Sequence, residues 1–392
     1  MTQPAAAERP IRVGIIGANW SLKVHGSAWR LLPGVEVAAV CTAHRETAQA
    51  AAAQFGVGKA YWDVADLVAD NELDLIDVGS RPAFRYDMVM AALNAGKHVY
   101  NALPFAVDLE RARAMRDCQR SAQRVGVVDA QFRWVPAAMH MKALIDQGCL
   151  GEPQGFNIQL LMPLVAQNGL VYPHSVWPEG GMSPYTWLAD PASGASAWRN
   201  FGSHTLLLLR HLWGEVEEAV GHLQTCVKTW HLPDGSTIQP QTADLGVATL
   251  RLANGAVGSL QCGWSVADGP VLRVELFGSR GRLVLSDLSF GDGISARLYA
   301  GDSRKRPFGT EAGGLQDIPE SLYRVPGTPF DKSNAPPYMV SMTRLFADML
   351  HAVRHGGEGS PSFEEAYQVQ RVIEAVTLSH QARRWVRIAE MG

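Results

Sequence analysis

Asn200 and His204 are the two side chains of this 392-residue sequence best placed to do proton chemistry together. They stand four residues apart, and the run Leu206-Leu207-Leu208-Leu209 behind them argues for a helix that Asn200 opens. Side chains at i and i+4 share a helix face. A histidine titrates near ~6.5 when unperturbed, so His204 can serve as a general acid or base. Asparagine hydrogen-bonds without titrating, so Asn200 would orient rather than ionise. For any lone histidine the alternative is a satisfied structural role. A second concentration of suitable groups runs from Val171 through Tyr172, His174 and Trp177 to Tyr185 and Trp187. Aromatic faces mixed with hydrogen-bonding tips suit a carbohydrate, a cyclic polyol or an aromatic ring. Tyr185 is expected to help hold the reacting oxygen, with His174 and Trp187 touching the ligand. The opposing reading is a surface loop that packs its aromatics on a sheet. Arg85, Arg133 and Arg199 could anchor a carboxylate, and Arg133 is the one expected to line the pocket.

A different chemistry is suggested near the N-terminus. The apolar run Ile11 to Ile16 ends in Gly17-Ala18-Asn19-Trp20-Ser21-Leu22. A dinucleotide-binding turn asks for G-x-G-x-x-G, so that backbone can approach a pyrophosphate at a helix N-terminus. The three positions here hold Gly17, Asn19 and Leu22. Asn19 can take a left-handed turn, Ser21 and Lys23 can donate to phosphate, and Trp20 and Leu22 complete the expected contacts. The alternative is a turn that no longer binds a dinucleotide. The adenosine end is read after the second strand, where Cys41-Thr42-Ala43-His44-Arg45 carries no carboxylate. An acidic residue there would accept from the ribose hydroxyls. Thr42, His44 and Arg45 would instead hold a 2′-phosphate, Arg45 bidentately. This favours NADP, with NAD as the other option; Arg45 as a merely solvated first-turn residue is the competing view. Ser80, Arg81, Leu103 and Pro104 are also expected at the cofactor.

The elements that must position these groups alternate. Apolar runs at 11–16, 35–41, 73–78, 98–101 and 126–130, with a short one near 60–61, read as buried strands. Helical segments at 25–32, 45–55, 64–69, 86–95 and 109–124 separate them. That order predicts a doubly wound parallel sheet, an α/β Rossmann domain over 9–130. From 131 to 392 the character is α+β. A helix over 136–147 precedes alternating runs at 156–161, 219–229, 242–252, 256–264, 272–277 and 281–286, which predict a large, mostly antiparallel, open-faced sheet. Residues 301–337 look irregular, and helices at 338–355 and 363–384 close the chain.

Bulk properties exclude several classes. The formal net charge is −3, which leaves no electrostatic footprint for nucleic acid or an anionic membrane. No run approaches the ~18 apolar residues that a bilayer requires. Residues 1–9 lack the features of a secretory signal. Five cysteines without a C-x-x-C pair argue against a disulfide framework or a metal site and for a reducing cytoplasm.

The segment Ala92-Leu93-Asn94-Ala95-Gly96-Lys97-His98-Val99-Tyr100-Asn101-Ala102-Leu103-Pro104 resembles a hallmark of the glucose–fructose oxidoreductase / inositol dehydrogenase / rhizopine-catabolism (Gfo/Idh/MocA) family, roughly A-L-x-A-G-K-H-V-x-x-E-K-P. Gly14 to Ala18 with His25, Phe132 to Pro136, Asn200 to His204 and Phe277 to Gly281 are similar, in order, to the family's opening strand and turn, R-x-x-P stretch, D-x-G-x-H signature and G-S-x-G turn. The resemblance spans the whole chain. It implies a nicotinamide-dependent oxidoreductase acting on a sugar, polyol or dihydrodiol, and a homodimer or homotetramer paired through the large sheet. It also exposes departures. Ala102 and Leu103 replace the motif's Glu and Lys, and Asn200 replaces its Asp. Leucine has no titratable group and cannot do the family lysine's proton transfer. The resemblance to the family's galactose-pathway repressor branch keeps a non-catalytic ligand sensor in play, and a cofactor-using lyase-type reaction is a third option.

Overall fold

The computed structural model describes residues 9–165, 169–172, 184–287, 295–302, 313–334 and 339–392. Its first layer is a parallel sheet of β1 (Ile11–Ile16), β2 (Val35–Cys41), β3 (Lys59–Tyr61), β4 (Leu75–Val78), β5 (His98–Asn101) and β6 (Gly126–Val128), ordered β3-β2-β1-β4-β5-β6. Val13, Ile15, Val37, Val40, Leu75, Ile76 and Val99 are buried, as expected for strands covered on both faces. The crossovers are α1 (Gly26–Arg30), α2 (Arg45–Phe55), α3 (Val64–Ala69), α4 (Pro82–Asn94) and α5 (Leu109–Ala122). Their ends follow local chemistry. Asp108 accepts from the Arg111 N–H to open α5, and Gly56 closes α2 at φ +60°, both standard caps.

A second layer begins with α6 (Pro136–Asp146) and β7 (Pro153–Leu161), followed by α7 (Ala197–Trp213) and β8 (Val216–Gln224). A two-stranded ribbon pairs β9 (Trp230–His231) with β10 (Thr237–Ile238). The strands β11 (Leu245–Leu252), β12 (Val257–Gly263), β13 (Leu272–Gly278), β14 (Gly281–Asp287), β15 (Arg297–Asp302) and β16 (Gly313–Leu315) come next. Helices α8 (Met339–His355) and α9 (Phe363–Ala382) and the edge strand β17 (Val386–Arg387) end the chain. The sheet runs β16-β15-β14-β13-β7-β12-β11-β8-β17. Its pairings are antiparallel except β7 with β12. α7 and α9 pack on one face. The other carries side-chain pairs such as Gln159–Gln261 at 3.1 Å and Ser259–Asn157 at 2.8 Å.

Three local expectations are revised. The helix expected over 25–32 is the shorter α1, Gly26–Arg30, and a π turn, Ser21–His25, leads into it. β15 and β16 reach into the stretch read as irregular; an edge strand pairs on one side only, so a glycine-rich segment can join it. α7 starts at Ala197, capped by Ser196, whose hydroxyl accepts from the Arg199 N–H. Asn200 therefore lies inside the helix rather than opening it.

Chain order and packing part company at α8. It lies against the parallel sheet, where Val340, Leu345, Phe346 and Met349 share one core with Val13, Ile15, Leu22 and Trp29. The Phe346 and Trp29 rings stack 3.7 Å apart, 4° from parallel, and Tyr100 meets Phe346 edge-on at 4.8 Å. Phe346→Ala should cost about 3–5 kcal/mol. Urea unfolding checks this: a midpoint shift well below that value would mean that α8 contributes little to the parallel-sheet layer.

Candidate active site

The carboxyl ends of β1, β4, β5 and β6 lie side by side, so Gly17, Gly79, Ala102 and Asp129 follow one another along a single edge. Open α/β sheets bind ligands at this edge. At its β1 corner Gly17 turns with φ +112°, a conformation that side-chain-bearing residues avoid. Asn19 does not take the left-handed conformation expected of it; among the described non-glycine residues only Gln123 and Arg383 have positive φ. Ser21 is buried and donates to the Gly79 carbonyl at 3.0 Å. Leu22, 1% exposed, belongs to the core. Two expected cofactor contacts thus face inward, and what remains for a pyrophosphate is backbone, the opening N–H groups of the turn entered at Trp20. The close helix–strand approach that a third fingerprint glycine permits occurs at Gly26, where a Cβ would stand 3.3 Å from Ile15 Cδ1.

At the adenosine end the Thr42 hydroxyl donates to the His44 carbonyl at 3.0 Å and meets Thr47 Oγ1 at 2.6 Å. His44 and Arg45 are exposed. The Arg45 guanidinium lies 5.1 Å from the centre of the Trp62 ring. The Ser80 hydroxyl reaches Met88 Sδ at 3.0 Å. Arg81 is exposed and electrostatically coupled to Tyr185, so the β4 corner meets the second layer there.

Past β5, Leu103 is 8% exposed, and Arg85 lies behind its loop. That buried guanidinium donates to the carbonyls of Ser80, Ala102, Leu103 and Pro104. Arg199 holds Glu374 through two bonds of 2.7 and 2.8 Å and the Val107 carbonyl at 3.0 Å. Arg133, the residue expected to line the pocket, is turned to Ser360 Oγ at 2.7 Å and Glu365 at 2.9 Å. It buttresses the start of α9, where Ser362 and Glu365 form a capping box. All three arginines are therefore tied to the protein's own acceptors.

The helix face carrying Asn200 and His204 is brought to this edge. Both are half-buried between fully packed Trp198, Phe201 and Thr205. The Phe132 ring, just past β6, lies 5.3 Å from the His204 imidazole. Asn200 Oδ1 is buried and accepts no hydrogen bond from the protein, so it is ready to accept from a ligand. Burial pushes the His204 pKa down while Asp129 pulls it up. Tyr185 packs 5.0 Å from Tyr172 and 5.7 Å from Trp187, and burial raises its phenol pKa despite Arg81. His174 lies outside the described residues. Gly17, the Trp20 turn, the exposed His44 and Arg45 and the open Asn200 oxygen fit a dinucleotide with its substrate. Among the described residues no group of three His, Cys, Asp or Glu is placed to hold a metal.

Models of two domains match this chain: an oxidoreductase NAD-binding Rossmann fold over residues 11–130 and a GFO/IDH/MocA C-terminal domain over residues 138–284. The chain belongs to the Gfo/Idh/MocA family. It is similar to levoglucosan dehydrogenase of Pseudarthrobacter phenanthrenivorans, at 24% identity over 97% of this chain and 99% of that one. D-apiose dehydrogenase of Paraburkholderia graminis is 25% identical over 96% and 89%. Among solved structures, an oxidoreductase domain protein from Kribbella flavida superposes with a TM-score of 0.82 at 26% identity, covering 97% of this chain and 99% of that one. A levoglucosan dehydrogenase complex with NADH and levoglucosan gives 0.82 at 23% identity with the same coverage.

This Gfo/Idh/MocA protein also holds a buried charge at His25, a residue that belongs to the opening motif but is given no role by the motif itself. His25 is fully buried between two carboxylates, with Nδ1 3.1 Å from both oxygens of Asp77 and Nε2 3.6 Å from Asp129 Oδ2. Trp29 Nε1 donates to Asp77 at 2.9 Å, and Tyr100 stands edge-on to the imidazole at 5.3 Å. The available signal was Asp129 itself, a carboxylate ending an apolar parallel strand. Burial works against a charged His25, but Asp77 and Asp129 outweigh it and raise the pKa to about 10. An unfolded imidazole releases its proton near ~6.5. The pair's stabilisation is therefore whole below about 6.5 and is lost as pH rises toward 10. The melting-temperature gap between wild type and His25→Gln should narrow from pH 7 to pH 10; a gap that holds or widens would refute a charged His25.

Proposed function

We propose that this protein is an NADP-preferring dehydrogenase or reductase of a cyclic hydroxylated small molecule, a sugar, polyol or dihydrodiol. The observation that carries the reading is the docking of α7 through Phe132, which sets His204 and Asn200 at the strand-end edge shared by the Gly17 turn and the Leu103-Pro104 loop. The named activities of its relatives, on levoglucosan, D-apiose and myo-inositol, support the same substrate class. The preference for NADP rests on the adenosine end. The Cys41–Arg45 segment itself carries no carboxylate, while exposed His44 and the Trp62-braced Arg45 offer a 2′-phosphate donors and, on Arg45, positive charge.

A bound nicotinamide supplies the hydride acceptor or donor. The chain's own task is to hold the substrate and move one proton. Asn200 Oδ1 accepts from a substrate hydroxyl. His204 takes the proton of the carbinol being oxidised, or returns it to the carbonyl in reduction. Tyr185 orients the oxygen from the second layer. Leu103 gives no proton path, so the transfer falls to His204 alone. The reading includes a cytoplasmic homodimer or homotetramer covering the open face of the large sheet.

Leu103 and the inward-facing Ser21 and Leu22 favour one rival, a protein that senses cofactor and ligand without turnover. Two measurements separate them. Tryptophan quenching should show NADPH bound more tightly than NADH, with Arg45→Ala weakening NADPH about tenfold and leaving NADH little changed. His204→Ala should lower kcat by about 10²–10⁴ while cofactor affinity stays. Tight binding of cofactor and polyols with no change in nicotinamide absorbance would favour the sensor.

A further inference from the structure

The loop that leaves β5 has its carbonyls taken up by side-chain donors. Arg85 serves Ala102, Leu103 and Pro104, and the buried Asn101 donates from Nδ2 to the Phe105 carbonyl at 3.1 Å. Both donors belong to the parallel-sheet layer, so this part of the loop is fixed from its own side. The next bond comes from elsewhere. The Val107 carbonyl accepts from Arg199 Nη1 at 3.0 Å, and Arg199 stands on α7, one residue before Asn200. The same guanidinium grips Glu374 of α9 through two bonds of 2.7 and 2.8 Å. Such a two-pronged grip fixes the plane of the guanidinium as well as its position. Gln370 Nε2 steadies Glu374 in turn, at 2.7 Å. A second contact falls on the same loop residue. The turn Pro191–Ser193 ends at Gly194, φ +76°, and leads within two residues to Ser196, the cap of α7. A Cβ at Gly194 would stand 2.3 Å from Val107 Cγ1 and 2.9 Å from Val107 Cβ, so this approach needs a glycine for both space and conformation. Val107 thus meets the start of α7 twice, by packing at Gly194 and by a hydrogen bond from Arg199. Pro104 lies three residues before Val107, and Asn200 and His204 follow Arg199 on the helix.

We propose that Arg199 is a positioning residue: its clasp on Val107 sets the spacing between the Leu103-Pro104 loop, on the cofactor side, and the α7 face that holds the substrate. This rests on the dehydrogenase reading and deepens it. The guanidinium is committed to protein acceptors, so Arg199 acts through α7 and not on a ligand. Phe132 meets α7 at His204; Arg199 holds the other end of the pair, beside Asn200. Hydride transfer needs the two reacting carbons at a fixed short separation, and a misplacement of about 1 Å can cost about 10²-fold. Arg85 and Asn101 hold the loop without help from α7. Loss of Arg199 therefore leaves the cofactor side intact and frees only its relation to the substrate helix.

The test compares wild type with Arg199→Met. Should that variant fail to fold, the double variant Arg199→Met/Glu374→Met, which leaves no carboxylate unpaired, takes its place. In the full chain without cofactor, amide exchange at Asn200, whose N–H is bonded to the Ser196 carbonyl, should quicken at least about tenfold. The Ala102 amide, bonded to the Val78 carbonyl, should keep its wild-type rate. No change at Asn200, or an equal rise at both amides, overturns the proposal. With cofactor, tryptophan quenching should give the wild-type affinity for NADPH. In single turnovers of a polyol the hydride step should slow at least about tenfold with its amplitude held. A protein that is merely less stable loses amplitude and keeps the rate, and that result overturns the proposal. An active wild type whose rate the variant matches sinks the role of Arg199 alone. A wild type with no turnover on any polyol sinks the dehydrogenase reading as well.

Discussion

A protonated imidazole sealed inside the protein constrains everything around it. His25 comes from the π turn, Asp77 from β4, Asp129 from the end of β6, Tyr100 from β5, Trp29 from α1 and Phe346 from α8. Six elements therefore meet at one charge. Replacing such a cluster by apolar side chains of the same volume can be neutral, but stripping one partner leaves a buried charge unpaired, at about 3–5 kcal/mol. The elements cannot shift independently without exposing that penalty. The π turn is part of the same constraint. Its wider winding delivers His25 to the carboxylates while leaving Gly17 free to turn at the strand end.

From this centre the edge of the sheet inherits its rigidity. Asp129 cannot leave His25, so the turn Gln131–Trp134 that follows it is fixed. That turn presents Phe132 to His204 and sends Arg133 to α9. α9 in turn holds α7 through Arg199–Glu374 and through the Trp198 Nε1 bond to the Ile373 carbonyl at 3.2 Å. The helix bearing Asn200 and His204 is thus referenced to the parallel sheet twice, directly through Phe132 and indirectly through α9. Proton transfer needs heavy atoms within hydrogen-bond reach, so such double referencing is what a two-layer site requires.

Much of this was legible in the sequence, and the limits have physical causes. The parallel strands announced themselves because burial on both faces leaves continuous apolar runs, and the alternation in β7, β11 and β13 betrayed a sheet with one open face. The i, i+4 pair on α7 was also visible, although its cap was not: Ser196 rather than Asn200 starts the helix. The arginines misled because a charge in sequence does not show its partner. Glu365 and Glu374, which claim Arg133 and Arg199, lie more than 170 residues away. Ser21 and Leu22 misled for a related reason. The fingerprint fixes positions along the turn, but the π winding decides which of them face the core. His25 and Asp129 are a third case, since a contact between the first helical turn and the last parallel strand has no local signature.

The departures at Leu103 and Asn200 look like losses only when each position is read alone. The loop after β5 needs a cation less when Arg85, buried behind it, already satisfies the carbonyls of Ala102, Leu103 and Pro104. Burial pulls that guanidinium down from its usual range while Asp129 opposes the pull, and arginine keeps its proton under such pressure. The positive charge and the negative charge that the motif would place at the ligand are therefore both present one layer deeper, on Arg85 and Asp129. Charges in that layer act at a distance, and in surroundings of low effective dielectric such fields are felt strongly. On the proposed reading this arrangement favours a single, well-held proton carrier, His204, over a relay of several titratable groups. It also leaves an apolar wall at Leu103; on the proposed reading that wall meets the flat apolar face of a cyclic substrate while Asn200 and His204 address its hydroxyls.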